Sequence, residues 1–189
     1  MEKHYSEVSS TWRNFEQICS ELGLREEDII GKFILDLGSG GAGFSEGIKK
    51  HPEFSSRVVS MDPNYNPRTL TEENKELMKD AVKEIGAQKL EAVAGLSEKI
   101  PFADATFDLI ISNHAIPWHI AEDVGKVQKS VEEIVRILKS GGEVRLHPVE
   151  ENITRVIADA VGGDYSVENK KGVVIIRKVL STNGEAVKA

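Results

Sequence analysis

The stretch KFILDLGSGGAGFS, Lys32 to Ser45, decides how this chain is read. Its apolar run from Phe33 to Leu37 has the length of a strand, breaks into a glycine-rich turn, and resumes as a helix carrying Phe44 and Ile48 on one face. A strand, a tight turn and a helix in that order open a parallel β–α unit. Gly38, Gly40 and Gly43 satisfy the spacing GxGxxG in the context where bare backbone approaches a nucleotide-like ligand closely. A tight turn needs glycine for its own geometry as well, so the loop alone leaves both readings open.

Working outward, the chain repeats this unit. On the N-terminal side Trp12, Phe15, Ile18, Cys19 and Leu22 recur every three or four residues after Thr11, and Gly23 follows as a stop. This predicts an amphipathic helix within a helical cap over about residues 1–31. On the C-terminal side a second strand, Arg57 to Met61, is ended by Asp62 and Pro63, and a helix runs roughly from Thr71 to Ile85. Leu90 to Ala94 and Phe107 to Ser112 predict two more strands. Val127, Val131, Ile134, Val135 and Leu138 mark a helix face before Gly141, and Gly142 to His147 reads as a fifth strand. Ile153, Val156, Ile157 and Ala160 suggest a short helix. The strand candidates Asp164 to Glu168 and Val173 to Lys178 then form a hairpin whose polar tip, Asn169 to Gly172, is expected to be solvated. The tail 181–189 is expected to fray.

Strands alternating with helices imply right-handed crossovers and helices on both sheet faces. The expected fold class is therefore α/β: one Rossmann-like, doubly wound sheet, mostly parallel with a C-terminal antiparallel strand, forming one domain over residues 1–189. In such sheets a ligand sits beyond the carboxyl ends of the strands, where the strand order reverses. Asp62, 26 positions beyond Asp36 at the end of the second strand, is suited to accept hydrogen bonds from two ribose hydroxyls. Capping a turn is its alternative role.

Asp36 two residues before the first glycine, IPFADATFDLIIS after the third strand and EIVRILKSGGEVRLH at the close form an ordered set of motifs. With them the chain resembles the class I S-adenosylmethionine-dependent methyltransferases, particularly the small type 11 methyltransferase domains, from about Phe33 to His147 and on to Lys178. The resemblance implies methyl transfer from S-adenosyl-L-methionine, with S-adenosyl-L-homocysteine as product. It further implies that Asp36, Gly38, Gly40 and Gly43 line the methionine and ribose side of the cofactor, that Asp62 binds the ribose, and that Pro63 lies where the family places a residue against the adenine. Leu96 and Ser97 fall in the adenine-edge loop. Leu96 occupies the place of an acidic residue that many relatives use there, so adenine recognition is expected to depend on backbone and apolar packing. Asp108, in the FDLI pattern, is expected to be structural.

Ser112, Asn113 and His114 end the fourth strand, at the border between cofactor and acceptor in this family. Ser112 is grouped with the cofactor, Asn113 and His114 with the substrate. His114 and His119 are candidates to remove an acceptor proton, because imidazole titrates near neutrality. Packed or surface histidines are the alternative. Trp118 is a candidate wall of the acceptor pocket, with core packing as its other role. Trp12 and Phe15 are expected in the core rather than in a lid, with His4 and Tyr5 as minor lid candidates. No spacing of His and carboxylate forms a metal motif, since Pro117 interrupts the five-residue separation of His114 and His119.

Composition bounds the partners. The 189 residues, 40% hydrophobic with 16 Gly and 6 Pro, suit one globular domain with its own core. A net charge of -7 from 24 basic and 31 acidic residues, interspersed, offers no general attraction for a phosphate backbone. Nucleic acid is disfavoured, a small-molecule acceptor is favoured, and a protein substrate stays open. No apolar run is long enough to span a bilayer, no signal core precedes the helix, and one cysteine forms no internal disulfide. The cytoplasm is the expected setting. Two other function classes share the glycine turn: a noncatalytic adenosyl-cofactor-binding regulator and a NAD-dependent oxidoreductase. There is no GxSxG elbow and no Walker loop. The acceptor atom and the oligomeric state are not encoded in any motif.

Overall fold

The computed structural model describes residues 13–66 and 72–178. In order these form α1 (Phe15–Leu22), α2 (Glu26–Ile29), β1 (Phe33–Leu37), α3 (Gly43–Lys50), β2 (Arg57–Met61), α4 (Glu72–Ala87), β3 (Glu91–Val93), β4 (Phe107–Asn113), α5 (Val124–Ile137), β5 (Leu138–His147), α6 (Glu151–Val161), β6 (Tyr165–Lys170) and β7 (Val173–Lys178). The sheet order is β3-β2-β1-β4-β5-β7-β6, with β7 antiparallel to both its neighbours and the pairs from β3 to β5 parallel. The order reverses between β1 and β4, which sets the crevice beyond the ends of those two strands.

Period-two alternation in the central strands makes two cores, one on each face. Ile34, Leu109 and Ile111 pack with Ile18, Leu22, Phe44, Ile48 and Phe54 on one side. Leu35, Leu37, Ile110, Val144 and Leu146 pack with Val127, Val131, Ile134, Ile153 and Ile157 on the other. Asp108 confirms its structural reading: its carboxylate accepts the Phe33 N–H at 2.9 Å and the Lys139 ammonium at 3.0 Å, tying β4 to β1 and β5.

The N-terminal helix begins at Phe15, where Asn14 and Gln17 form a capping box, and ends at Gly23 in a left-handed C-cap. Phe15 is packed rather than lid-like: its ring lies 5.3 Å from that of Phe44, and a side chain at Gly47 would collide with its Cβ. Trp12, His4, Tyr5 and the tail 181–189 lie outside the described residues.

One expectation needs correction. The fifth strand starts at Leu138 rather than Gly142, because the Lys139–Gly142 stretch is absorbed by a register shift opposite Phe107–Leu109 instead of breaking the strand. The hairpin tip is solvated at Lys170 and Lys171, as expected, and is also tethered at its base. Asn169 accepts the Gly172 N–H at 2.9 Å and donates to Thr154 Oγ1 at 2.7 Å, and Gly172 O accepts the Val149 N–H at 2.9 Å. That clips the hairpin to the start of α6.

Candidate functional site

The glycine loop leaves β1 and is pinned at once to the end of β2: Gly38 N donates to Met61 O at 2.7 Å. Gly38 has φ +74°, and a Cβ there would stand 2.2 Å from Ala115 Cβ, so the loop after β4 rests directly on it. Gly40 differs, since nothing lies within 4 Å of the place its Cβ would take. It faces open space. Gly43 opens α3, and its missing side chain makes room for the carbonyl of Arg13 at 2.2 Å from that position, so its immediate role is close packing of the N-terminal segment.

Beyond the strand ends lies a cavity of about 1050 Å³. Asp36, Gly38, Gly40, Gly43, Asp62, Pro63, Leu96, Ser97, Asn113, His114, Trp118 and His119 all line it. Ser112 does not line it. Fully buried, its hydroxyl donates to Leu37 O at 2.8 Å and accepts the Ile116 N–H at 2.9 Å, which joins the loop after β4 to the end of β1. A direct contact of the Ser112 side chain with a ligand is therefore replaced by a positioning role. Ser97 is also turned into the protein, with its hydroxyl 2.8 Å from that of Ser130 on α5. Leu96 and Trp118 are 57% and 50% exposed and form an apolar rim. Trp118 is thus a wall rather than core, because the short turn Trp118–Ile120 buries Ile120 instead.

Asp62 is buried and already oriented. Its Oδ1 accepts the Asn64 N–H at 2.8 Å and its Oδ2 the Gly40 N–H at 3.0 Å, so the turn cap and the glycine loop aim one carboxylate. Burial pushes its pKa up, against the pull of those backbone bonds. Tyr65 supports the loop from beneath, with its hydroxyl 2.8 Å from Ser39 Oγ and donating to Gly40 O at 2.9 Å.

Asp36 is buried at the end of β1. Among the described residues nothing hydrogen-bonds its carboxylate, and desolvation, with the nearby Asp62 charge, pushes its pKa up to about 7. A carboxyl raised in the fold is favourable to folding at pH below its unfolded value and loses that contribution as pH rises through the folded value. Stability is therefore expected to fall between about pH 4 and pH 7 by an amount on the order of a few kcal/mol, and Asp36→Asn should remove that slope. Melting temperature against pH for both proteins checks this. Identical slopes would contradict it.

Beyond the end of β4, chain-distant residues meet. Glu21 of α1 accepts from Asn113 Nδ2 at 2.7 Å, pairs with Arg13 Nε at 2.9 Å, and lies 3.5 Å from His114 Nε2. Burial alone would raise its carboxyl, but the bonds from Asn113 and Arg13 bring it below the usual range. His147 Nδ1 stands 3.1 Å from Asn113 Oδ1. Both His114 and His147 are held below the ordinary imidazole pKa, first by desolvation and also by the Arg13 charge. His114 has φ +54°, a strained value for a non-glycine residue, and its N–H bonds His147 O at 2.6 Å. Glu21, His147, Arg13 and Tyr65 were not singled out from sequence. Tyr65 follows Asp62 closely enough to be noticed, but the others carry no shared spacing.

A doubly wound sheet with a glycine loop, two buried carboxylates and a cavity at the switch point defines an α/β domain built to bind a nucleoside-bearing ligand. A model of the family described as methyltransferase domain, type 11, matches residues 35–146, and the chain belongs to that family. It is an S-adenosylmethionine-dependent methyltransferase. The fold agrees with solved structures. A protein of Methanococcus maripaludis assigned to the S-adenosyl-L-methionine-dependent methyltransferases is 22% identical with a TM-score of 0.60, over 87% of this chain and 83% of that one. An S-adenosylmethionine-dependent methyltransferase of Aquifex aeolicus is 19% identical with a TM-score of 0.55, over 85% and 86%. The cyclase SpnF is also similar in fold, at 13% identity and a TM-score of 0.54 over 82% of this chain and 57% of that one. Fold alone therefore does not select the chemistry, and the family match carries that step. Among the described residues no helix is long and apolar enough to cross a membrane.

Proposed function

We propose that this methyltransferase acts on a small-molecule acceptor held between Asn113, His114 and Trp118, in a cytoplasmic setting. The observation that supports it is the continuous cavity, which runs from the glycine loop to the exposed face of Trp118 and exceeds the volume of a typical single-ligand pocket. The residues fit the cofactor: Asp36 has a buried, unbonded carboxylate suited to a cationic amino-acid end, Gly40 leaves open space before the loop, and Asp62 is aimed for ribose hydroxyls. Pro63 and Leu96 supply the apolar adenine side, and backbone replaces the missing acid at Leu96. When bound, the cofactor supplies a methyl group already activated by a sulfonium.

The protein's own work is then alignment and exclusion of water. Gly38 and Ser112 hold the loop that presents Asn113 and His114. Trp118 walls the acceptor side. Exposed His119 is the residue assigned to accept a proton, because His114 is engaged with Glu21. Parallel calorimetric titration with S-adenosylhomocysteine, S-adenosylmethionine and NADH, followed by methyl-transfer assays on small hydroxyl, amine and thiol compounds and on peptides, tests this reading. Adenosyl-ligand binding with turnover of a small compound is expected, slowed in His119→Ala. Binding to NADH alone would redirect it to oxidoreduction, turnover of peptides alone would replace the acceptor class, and cofactor binding without transfer would make the protein a regulator.

A further inference from the structure

Glu21, His114 and His147 each present a ligand atom to one small volume beside the cavity, which His114 lines, with the three atoms within 4.8 Å of one another. They come from α1, the loop after β4 and the end of β5, so only the tertiary fold assembles them. We propose that they form a binding site for a single divalent transition cation of the zinc type, open toward the acceptor.

The ligand chemistry is two imidazoles and one carboxylate, a set that suits zinc and leaves one coordination position free in a catalytic-type site. Zinc bonds of 2.0–2.1 Å place tetrahedral ligand atoms about 3.4 Å apart. The 3.5 Å between Glu21 Oε2 and His114 Nε2 already meets that spacing. The three atoms, all within 4.8 Å of one another, would draw in by at most about 1.4 Å to reach it.

The surrounding groups orient the ligands. Asn113 donates through Nδ2 to Glu21 and accepts at Oδ1 from His147 Nδ1. That bond places the proton of His147 on Nδ1 and leaves Nε2 with the lone pair a metal requires. His114 is held over the site by its strained backbone and by the bond from its N–H to His147 O, with the two rings 5.1 Å apart at 80°. Arg13 is the cation that now neutralises Glu21, through Nε at 2.9 Å, while its Nη1 is buried without a partner among the described residues. It is a poorly satisfied occupant of a place that a metal ion would take over. Of the three residues His114 lines the cavity, the side from which an acceptor bearing a hydroxyl or thiol donor would reach the free coordination position. That substrate class rests on the acceptor-side reading given above, whereas the cation site does not.

The test uses the full chain stripped with a chelator and titrated with Co²⁺, then Zn²⁺. One Co²⁺ per chain with the intense visible bands of tetrahedral coordination, displaced by Zn²⁺, is expected. His147→Ala and Glu21→Gln should abolish those bands, Asn113→Ala should weaken binding about 10- to 100-fold, and Arg13→Ala should tighten it. S-adenosylhomocysteine binding, measured in parallel, shows that each variant is folded and keeps failure of the cation site separate from failure of the cofactor reading. Absence of tetrahedral bands in the wild type, or bands unchanged in His147→Ala and Glu21→Gln, would overturn the proposal.

Discussion

Asp62→Ala is expected to lower the affinity for S-adenosylhomocysteine about 100-fold or more, because two ribose hydroxyl bonds to an ionised acceptor contribute about 1.5–3 kcal/mol each. The effect has a second source. The Asp62 carboxylate holds the Gly40 and Asn64 N–H groups at 3.0 and 2.8 Å, so its removal releases the loop that must be in place before a ligand arrives. Asp62→Asn separates the two contributions. It keeps one acceptor oxygen but loses the charge, and a smaller loss of about 10-fold is expected. Titration calorimetry of the three proteins at one pH reads both effects. Equal affinity in wild type and Asp62→Ala would show that the carboxylate serves only as the cap of the Pro63–Tyr65 turn.

Gly38→Ala carries the largest expected effect on stability. At φ +74° an L side chain is strained by about 1–2 kcal/mol, and a Cβ placed 2.2 Å from Ala115 Cβ adds an overpacking cost of about 1–3 kcal/mol. Together these suggest about 3 kcal/mol of lost stability, measurable by denaturant unfolding. The pairing gives an internal control. Ala115→Gly in the same chain removes the collision but not the backbone strain, so the double variant should recover about half of the loss. No recovery would mean that the Ala115 contact does not limit the loop. The Gly38→Ala loop also displaces His114, the neighbour of Ala115, so acceptor turnover should fall further than cofactor binding.

Much of the fold was legible because its signals are local. The limits of β1, β2 and β7 follow from short apolar runs bounded by glycine, Asp62–Pro63 and a polar turn, and the structure keeps those limits. The start of β5 was misjudged because a glycine pair reads locally as a break, whereas pairing with β4 holds the strand through a bulge. The bond from Asn169 to Thr154 had no local signal for a related reason, since Thr154 meets it only once the hairpin folds back on α6.

That Asp36, the glycine loop and Asp62 would line one crevice was also readable, since each lies at or follows a strand end. Which of the named residues point inward was not. Ser112 and Ser97 are polar residues at strand ends or loops in sequence, yet their hydroxyls are taken by Leu37 O and Ser130. The sequence by itself determined the strand and helix order and the doubly wound sheet, because periodicity and turn chemistry act over a few residues, and its ordered motifs carried the resemblance to the family. Only the tertiary structure brought the residues beyond β4 and β5 together. Glu21, His114 and His147 acquire a joint chemistry from being within a few ångströms, and nothing in their spacing along the chain encodes that distance.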